Sequence, residues 1–510
     1  MNFDRAFKAA GLVAALTLAT NVLGFVRELF MARAFGASAA ADAFITAFTL
    51  VSSCFLVFTA GTVQAVFMPR YQGLIGAAEN AAARRLFFVS MCWLAALLTC
   101  LALVVGLGAR PLVAIVAPGF DPSQQELTAA LARTLAPMVL FVGAGSLLQS
   151  VAHAHGRFFG PALVPLLNNL VLIASLAWLA GRLGIEALAW AYLAGALLWW
   201  LVLVPVTRPH LRGERASVDP GRLREMLLAL GPLLLLLAAD QVSALVQKGL
   251  VSGLGGGSIA ALNYAAKLEG LPVGIFSMAI ATVFFPALVD AIGRRDHEAV
   301  RRRFLDGLSG ILHCAVPASV FLCLEAEQIV RVLFERGAFG TGATRMTADA
   351  LVYYSLGLLP QGLIVYLNRV YFAAKDTKRP MVVGVISVVF HIAFCWVAVD
   401  RMGYLGIALG TSLYALMYVV LLAVGMRRVV PVTLLDLPVA LWRALLAGLV
   451  LAGFYWRVDF GSSATSMGVA VAIGGAIYAG TLLVLREPLL GALRAGQVNS
   501  ALGAGTARYP

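Results

Sequence analysis

Cations sit where this sequence should be hydrocarbon. Arg27 falls inside GLVAALTLATNVLGFVRELFMARAFG, an apolar run long enough to span a bilayer. Lys248 comes late in one later run, and Lys267 comes early in the next. An ionisable side chain near a bilayer centre costs roughly 2.5–3.5 kcal/mol even on the lenient insertion scale, so such residues face a partner or a wet cavity. Arginine brings a two-pronged fork and lysine a point charge, and both suit phosphate or diphosphate oxygens. Asp42 and Glu269 are candidate counter-ions, and Asp240 lies deeper in the run that holds Lys248. Gln64, Gln241, Gln247 and Asn263 add groups that hydrogen-bond sugar hydroxyls. Two readings follow from these residue types. The charges lock helices together as internal salt bridges, or Arg27 and Lys267, assisted by Lys248, line a polar cavity and bind an anionic ligand.

Other chemistry is not signalled. No nucleophile elbow, Walker A, HExxH or paired-carboxylate motif stands in a suitable setting, so the chain does not read as an enzyme and no cofactor is expected. GLGGGS at 253–258 reads as a flexible turn on the outer side. His153 and His155 are two apart on a helix and point to different faces, which argues against a metal pair. His313 and His391 are single polar residues in apolar helices and read as hydrogen-bonded in the interior. The six cysteines lie in apolar runs without CxxC spacing and read as small buried hydrophobes.

These residues must be positioned by apolar helices. The chain has 510 residues, 61% hydrophobic and only 12% charged, with a mean hydropathy of +0.90. A soluble domain carries about 25% charged residues, so this is a polytopic, all-α membrane protein with little soluble mass. A spanning helix needs about 20 apolar residues. About fourteen runs qualify, the first at 9–33 and the last two at 438–456 and 464–485. The long runs at 38–69, 222–252, 258–289 and 346–373 carry polar residues, as cavity-lining helices would. Pro111 to Pro118 reads as a short interfacial or re-entrant piece. The first run is too long for a signal-peptide core, and no cleavable leader is expected.

The net charge of +13 resides in short loops, which fits topology rather than nucleic-acid binding. Lys and Arg favour one alternate set of loops by roughly three to one, which puts both termini in the cytoplasm. Arg369, Lys375, Lys378 and Arg379 form such a cluster, either solvated or touching anionic lipid head groups.

The chain also resembles itself. VFMP at 66–69 echoes VFFP at 283–286, and LGIEALAWAYLAG at 183–195 echoes LGIALGTSLYAL at 405–416. Six helices per unit is an even number, so the repeats are parallel and related by an axis along the membrane normal. The expected organisation is an N-lobe over 1–206, a C-lobe over 207–430, and two further helices with a cytoplasmic tail over 431–510. The lobes would enclose a central cavity.

NVLGFVRELFMARAFGASAAADAFITAF resembles the opening signature of the MurJ/MviN flippases, within the multidrug/oligosaccharidyl-lipid/polysaccharide exporter superfamily. NYAAKLEGLPVGIFSMAIATVFFPAL is similar to that family's helix-eight motif, and FERGAF with YFAAKDTKRP to its helix nine–ten region. The similarity covers nearly the whole chain. It implies a flippase in the bacterial inner membrane that moves lipid II, the undecaprenyl-diphosphate-linked peptidoglycan precursor, to the outer leaflet by alternating access. Membrane lipids and a cell-envelope synthesis complex are further candidate partners. Arg27 matches the family arginine late in helix one, and Asp42 its acidic residue opening helix two. The chain departs from the pattern at Asn21, near Phe55, at Ala60 and at Lys267; arginine is usual at all of these except Ala60, where it is an acid.

Three function classes follow. The first is a flippase for a polyprenyl-diphosphate saccharide, lipid II or else an exopolysaccharide or O-antigen unit. The second is a cation-coupled multidrug antiporter, which would favour carboxylates such as Asp240 in the cavity. The third is a non-transporting scaffold for an envelope synthase. Coupling to the membrane potential or to an ion is left open by the residue types.

Overall fold

The computed structural model describes residues 3–58, 67–211, 238–279, 285–294, 296–426, 430, 437–458, 460–461 and 463–485. The described residues are helical, without strands. Two compact units divide the chain. One comprises Met1–Ala260 with Arg336–Ala343, the other Ala261–Glu335 with Thr344–Pro510. The lobe boundary expected at 206–207 falls inside the helix Glu186–Leu211; residues 212–237 lie outside the described residues, as do Gln64 and Ala60.

The first unit holds α1 (Phe3–Phe35), α2 (Ala39–Phe58), α3 (Met68–Gly76), α4 (Asn80–Leu107) and α5 (Ala109–Val116). It continues with α6 (Pro122–Leu135), α7 (Met138–Ala154), α8 (Phe159–Trp178), α9 (Ala180–Leu183), α10 (Glu186–Leu211) and α11 (238–251). α1 packs on α8, α8 on α10, α10 on α7, and α2 on α6. Small residues allow these approaches: a Cβ on Gly195 of α10 would meet the Asn168 side chain of α8. At the start of α6, Asp121 is the N-cap; it accepts the Gln124 N–H at 2.9 Å and the Ser123 hydroxyl at 2.6 Å.

α12 (Ser258–Ala279) begins in the first unit and runs into the second. The second unit continues with α13 (Phe285–Gly293), α14 (His297–Leu324), α15 (Ala326–Phe334), α16 (Thr341–Ser355) and α17 (Leu358–Ala373). It ends with α18 (Lys378–Met402), α19 (Leu405–Met426), α20 (Leu437–Arg457) and α21 (Ala464–Val484). α18 packs on α19, α14 on α20 and α17, and α20 on α21.

Among the described residues, 10 helices are long and apolar enough to cross a membrane, or 11 with one bent pair. The expected count of fourteen is thus not reached within them. The bent pair is α16 with α17, broken by 45° inside the run read as one span at 346–373. The 127–155 run is Pro122–Ala154, divided between α6 and α7. The short piece at Pro111–Pro118 is α5, eight residues long. Outward faces carry exposed large apolar side chains, including Trp178 and Trp456 at helix ends. Such faces are stable against lipid, and terminal tryptophans suit its interface.

The internal repeat has a backbone counterpart. After α7, Gly156 has φ +70°, and the Arg157 N–H donates to the Ala152 carbonyl at 2.8 Å. After α17, Lys375 has φ +61°, and the Asp376 N–H donates to the Tyr371 carbonyl at 3.0 Å. Both are left-handed helix ends of the Schellman type. The same turn closes the corresponding helix of each repeat.

Candidate substrate site

α1 positions Arg27 against α8 and α10. Its Nη2 donates to Glu28 Oε1 at 2.6 Å, and its Nη1 donates to Asn169 Oδ1 at 3.2 Å. The guanidinium lies 5.9 Å from the centroid of the Tyr192 ring. Asn169 donates in turn from Nδ2 to the Thr20 carbonyl at 3.1 Å, so this one amide grips α1 at two levels. The fork is therefore held in orientation by a carboxylate, an amide and an aromatic face. The Arg27 side chain keeps 18% exposure, and Glu28 is buried with Oε2 lacking a hydrogen-bond partner among the described residues.

The counter-ion of Arg27 is thus its chain neighbour, not Asp42 or Glu269. Asp42 has another task. Its Oδ2 accepts the Gly257 N–H at 2.6 Å and its Oδ1 accepts the Ala260 N–H at 2.7 Å. A buried carboxylate from α2 thereby caps the first turn of α12, where unpaired amides and the helix dipole favour negative charge. Lys248 of α11 also acts on Asp42 through its charge.

Around this cap several chain segments close on one another. A Cβ on Gly257 would lie 2.4 Å from the Ala37 carbonyl oxygen, and one on Gly119 would lie 2.3 Å from the Gly253 nitrogen. The Gly119 N–H donates to Ser252 Oγ at 2.9 Å, Gln124 Nε2 to the Ala39 carbonyl at 3.1 Å, and the Ala338 N–H to the Arg33 carbonyl at 2.9 Å. The GLGGGS segment is accordingly a packed junction rather than a flexible turn. Gly257 admits neighbouring backbone where a side chain would not fit.

The remaining candidates are dispersed. Asn21 is exposed on α1, and Gln241 of α11 accepts from Ser53 Oγ of α2 at 3.1 Å. Gln247 donates to Ser243 Oγ at 3.3 Å, and Asp240 is exposed. In the second unit, Asn263 is partly buried and Lys267 is exposed, with no hydrogen bond or ion pair to a described residue. Glu269 is 4% exposed, and its Oε1 has no hydrogen-bond partner among the described residues. Residues two apart on a helix do not share a face, so Lys267 and Glu269 are not a pair. Phe55 is buried, Arg369 lies over the Phe285 ring at 5.6 Å, and Arg379 pairs with Asp376 at 3.3 Å.

Sequence reasoning missed Glu28 as a partner, and it missed Asn169 and Tyr192 altogether. The adjacent amides Asn168 and Asn169 inside an apolar run were the signal available.

The model of the family described as lipid II flippase MurJ matches residues 31–473. A probable lipid II flippase MurJ of Rhizobium meliloti is 31% identical over 408 residues, covering 78% of this chain and 76% of the relative. The lipid II flippase MurJ of Burkholderia cenocepacia is 28% identical over 433 residues, covering 83% and 84%. Among solved structures, a lipid II flippase MurJ in an inward closed conformation superposes with a TM-score of 0.81 at 22% identity, covering 94% of this chain and 99% of that one. An inward-facing multidrug resistance MATE family transporter gives 0.69 at 15% identity, covering 80% and 94%. These two likenesses concern the fold. From the match over 31–473 and the 31% identity across most of both chains, the chain belongs to the lipid II flippase MurJ family.

Proposed function

We propose that this chain moves lipid II from the cytoplasmic to the outer leaflet of the bacterial inner membrane by alternating access, with both termini cytoplasmic. Membership of the family and a membrane-spanning helical fold support transport of a lipid-linked saccharide. The work is translocation; no bond in the cargo need form or break. The observation that carries the site is the Arg27 guanidinium, held in place on a helix long and apolar enough to cross a membrane, yet still partly open. A diphosphate oxygen can replace Glu28 at Nη2 while Asn169 and Tyr192 keep the fork aimed. Lys267, exposed and without a described partner, offers a point charge in the other unit. Each of the two neutralises diphosphate charge during the cycle, and Lys248 supports the junction through Asp42. Gln241 and Asn263 suit the saccharide hydroxyls.

A ligand shifts such a carrier only through different affinities for its two states. The membrane potential is worth about 2.3 kcal/mol per charge per 100 mV, enough to bias the return of a cationic site. Each charge-assisted hydrogen bond contributes about 1.5–3 kcal/mol, so losing one slows flipping roughly 10- to 100-fold. Arg27→Ala and Lys267→Ala are each expected to slow flipping by at least roughly 10-fold while the protein stays in the membrane. Full flipping by both variants removes the anion site. Depleting the protein should make lipid II accumulate on the inner leaflet; accumulation of an exopolysaccharide or O-antigen precursor instead reassigns the cargo.

A further inference from the structure

Two histidines meet at one end of the first unit. The His155 and His210 rings stack face to face, with 3.8 Å between centroids and 14° between planes. His155 is the C-cap of α7, and His210 lies in the last turn of α10. The Tyr71 hydroxyl of α3 is 3.3 Å from His155 Nε2, and Tyr71 is buried in an apolar cluster with Phe67, Phe87, Val151 and Leu203. Side chains thus join three helices here. His153 takes no part, since its ring lies 5.4 Å from that of Phe158. The join matters most to α10, because Pro205 and Pro209 each remove a backbone donor from its last turns.

Such a stack tolerates little charge. With both rings protonated, like charges would face each other at close range in a half-buried place. A charged imidazole also donates from both nitrogens. His210 Nε2 is buried and has no hydrogen-bond partner among the described residues, so protonating that ring leaves a donor unanswered. The Tyr71 hydroxyl can donate or accept, and so suits either state of His155. The other charged and titratable groups at this end are Arg70 on α3, Arg84 on α4, His153 on α7, Arg157 in the turn to α8 and Arg208 on α10. The described carboxylates of these elements are Glu79, which precedes α4, and Glu186, at the opposite end of α10. Neither pairs with a described residue, so nothing described here offsets added positive charge. Burial, and then His210 and Arg157, hold the His155 imidazole below its usual value.

We propose that His155 and His210 form an acid-sensitive clasp between the ends of α7 and α10, shut while the rings are stacked and opened when the pair takes up protons. The protons come from solvent, one to the free ring nitrogen of each imidazole, and the contact given up is the stack. The stacked rings bind protons less readily than free imidazole does. Opening is therefore disfavoured above the ordinary imidazole value of about 6.5 and grows as pH falls through it. A bridging metal ion fits less well, since parallel rings do not aim their nitrogens at one point, and no three His, Cys, Asp or Glu side chains gather among the described residues. The clasp does not depend on the transport reading. With both termini cytoplasmic, this end of the unit faces the cytoplasm.

Hydrogen–deuterium exchange of the full chain in lipid nanodiscs, at about pH 7.5 and about pH 5.5 and corrected for the intrinsic pH dependence of amide exchange, tests the clasp. Each proton taken up on opening shifts the opening equilibrium by up to about tenfold per pH unit. Wild-type protection over 150–156 and 204–211 should fall at least about tenfold in acid, while 186–195, at the far end of α10, stays unchanged. The double variant His155→Gln with His210→Gln cannot charge and should show no such fall. Unchanged wild-type protection overturns the clasp. An equal fall in the double variant assigns the acid response to other groups and overturns it too. If the double variant does not fold, His210→Gln alone decides: one ring remains with no charged neighbour in the stack, so the fall should shrink, and an undiminished fall refutes the pairing.

Discussion

Replacing Asp42 with alanine isolates the cap on α12. The carboxylate accepts two backbone N–H groups, from Gly257 at 2.6 Å and Ala260 at 2.7 Å, and is 1% exposed. Water has no ready access to satisfy those donors once the side chain is gone. A hydrogen bond to a charged group contributes about 1.5–3 kcal/mol. Both bonds end on one carboxylate and do not add independently, so about 3 kcal/mol is a fair total. At about 1.4 kcal/mol per tenfold, that is roughly a 100-fold rise in local opening of the first turn. Asp42→Asn keeps one acceptor but turns an amide donor toward the second N–H, and should fall between the two. Hydrogen–deuterium exchange read by mass spectrometry over 255–262 measures this. Protection there should drop about 100-fold in Asp42→Ala, while peptides from α18 and α19 stay unchanged. Wild-type protection at Gly257 and Ala260 in a folded Asp42→Ala protein would refute the capping argument.

Further outcomes are expected. Gly337→Ala places a Cβ 2.5 Å from the Arg33 carbonyl oxygen at φ +63°, and should cost at least about 1–2 kcal/mol, seen as a lower thermal midpoint. Gly340→Ala, whose Cβ meets nothing within 4 Å, is the control. Lys375→Gly should raise the midpoint by about 0.5–1 kcal/mol equivalent, because it relieves a left-handed non-glycine residue. The Ser123 hydroxyl, and then the Gln124 N–H, hold the Asp121 carboxyl below the usual carboxylate value. Its folded-state value is depressed, so its contribution is present above the ordinary range and is lost as pH falls through the lowered value. Exchange at 123–125 should therefore rise only in strong acid, and Asp121→Asn should remove that dependence.

The sequence made the apolar architecture legible because membrane-length runs carry their own signature. It also made the family legible, through motifs such as NVLGFVRELF, and it singled out Arg27 because a charge in hydrocarbon demands an explanation. What it did not carry was convergence. Asn169 and Tyr192 reach Arg27 from helices far along the chain, and nothing in their local spacing says so. Asp42 looked like a counter-ion because residue type suggests charge pairing, whereas its partners are backbone amides that every residue possesses. The break between α16 and α17 was hidden because the apolar pattern continues across it. Lys267 and Glu269 lie two apart in the sequence, yet one is exposed and the other buried, which helical periodicity predicts once the register is fixed.

The paired turns at Gly156 and Lys375 give this chain something few proteins offer, a duplicate of its own part. Exchanging the two residues, glycine for lysine in one copy and lysine for glycine in the other, would compare the same bend in two surroundings under one solvent and one measurement. Any difference between the two exchanges belongs to the neighbours, because the bend itself cancels.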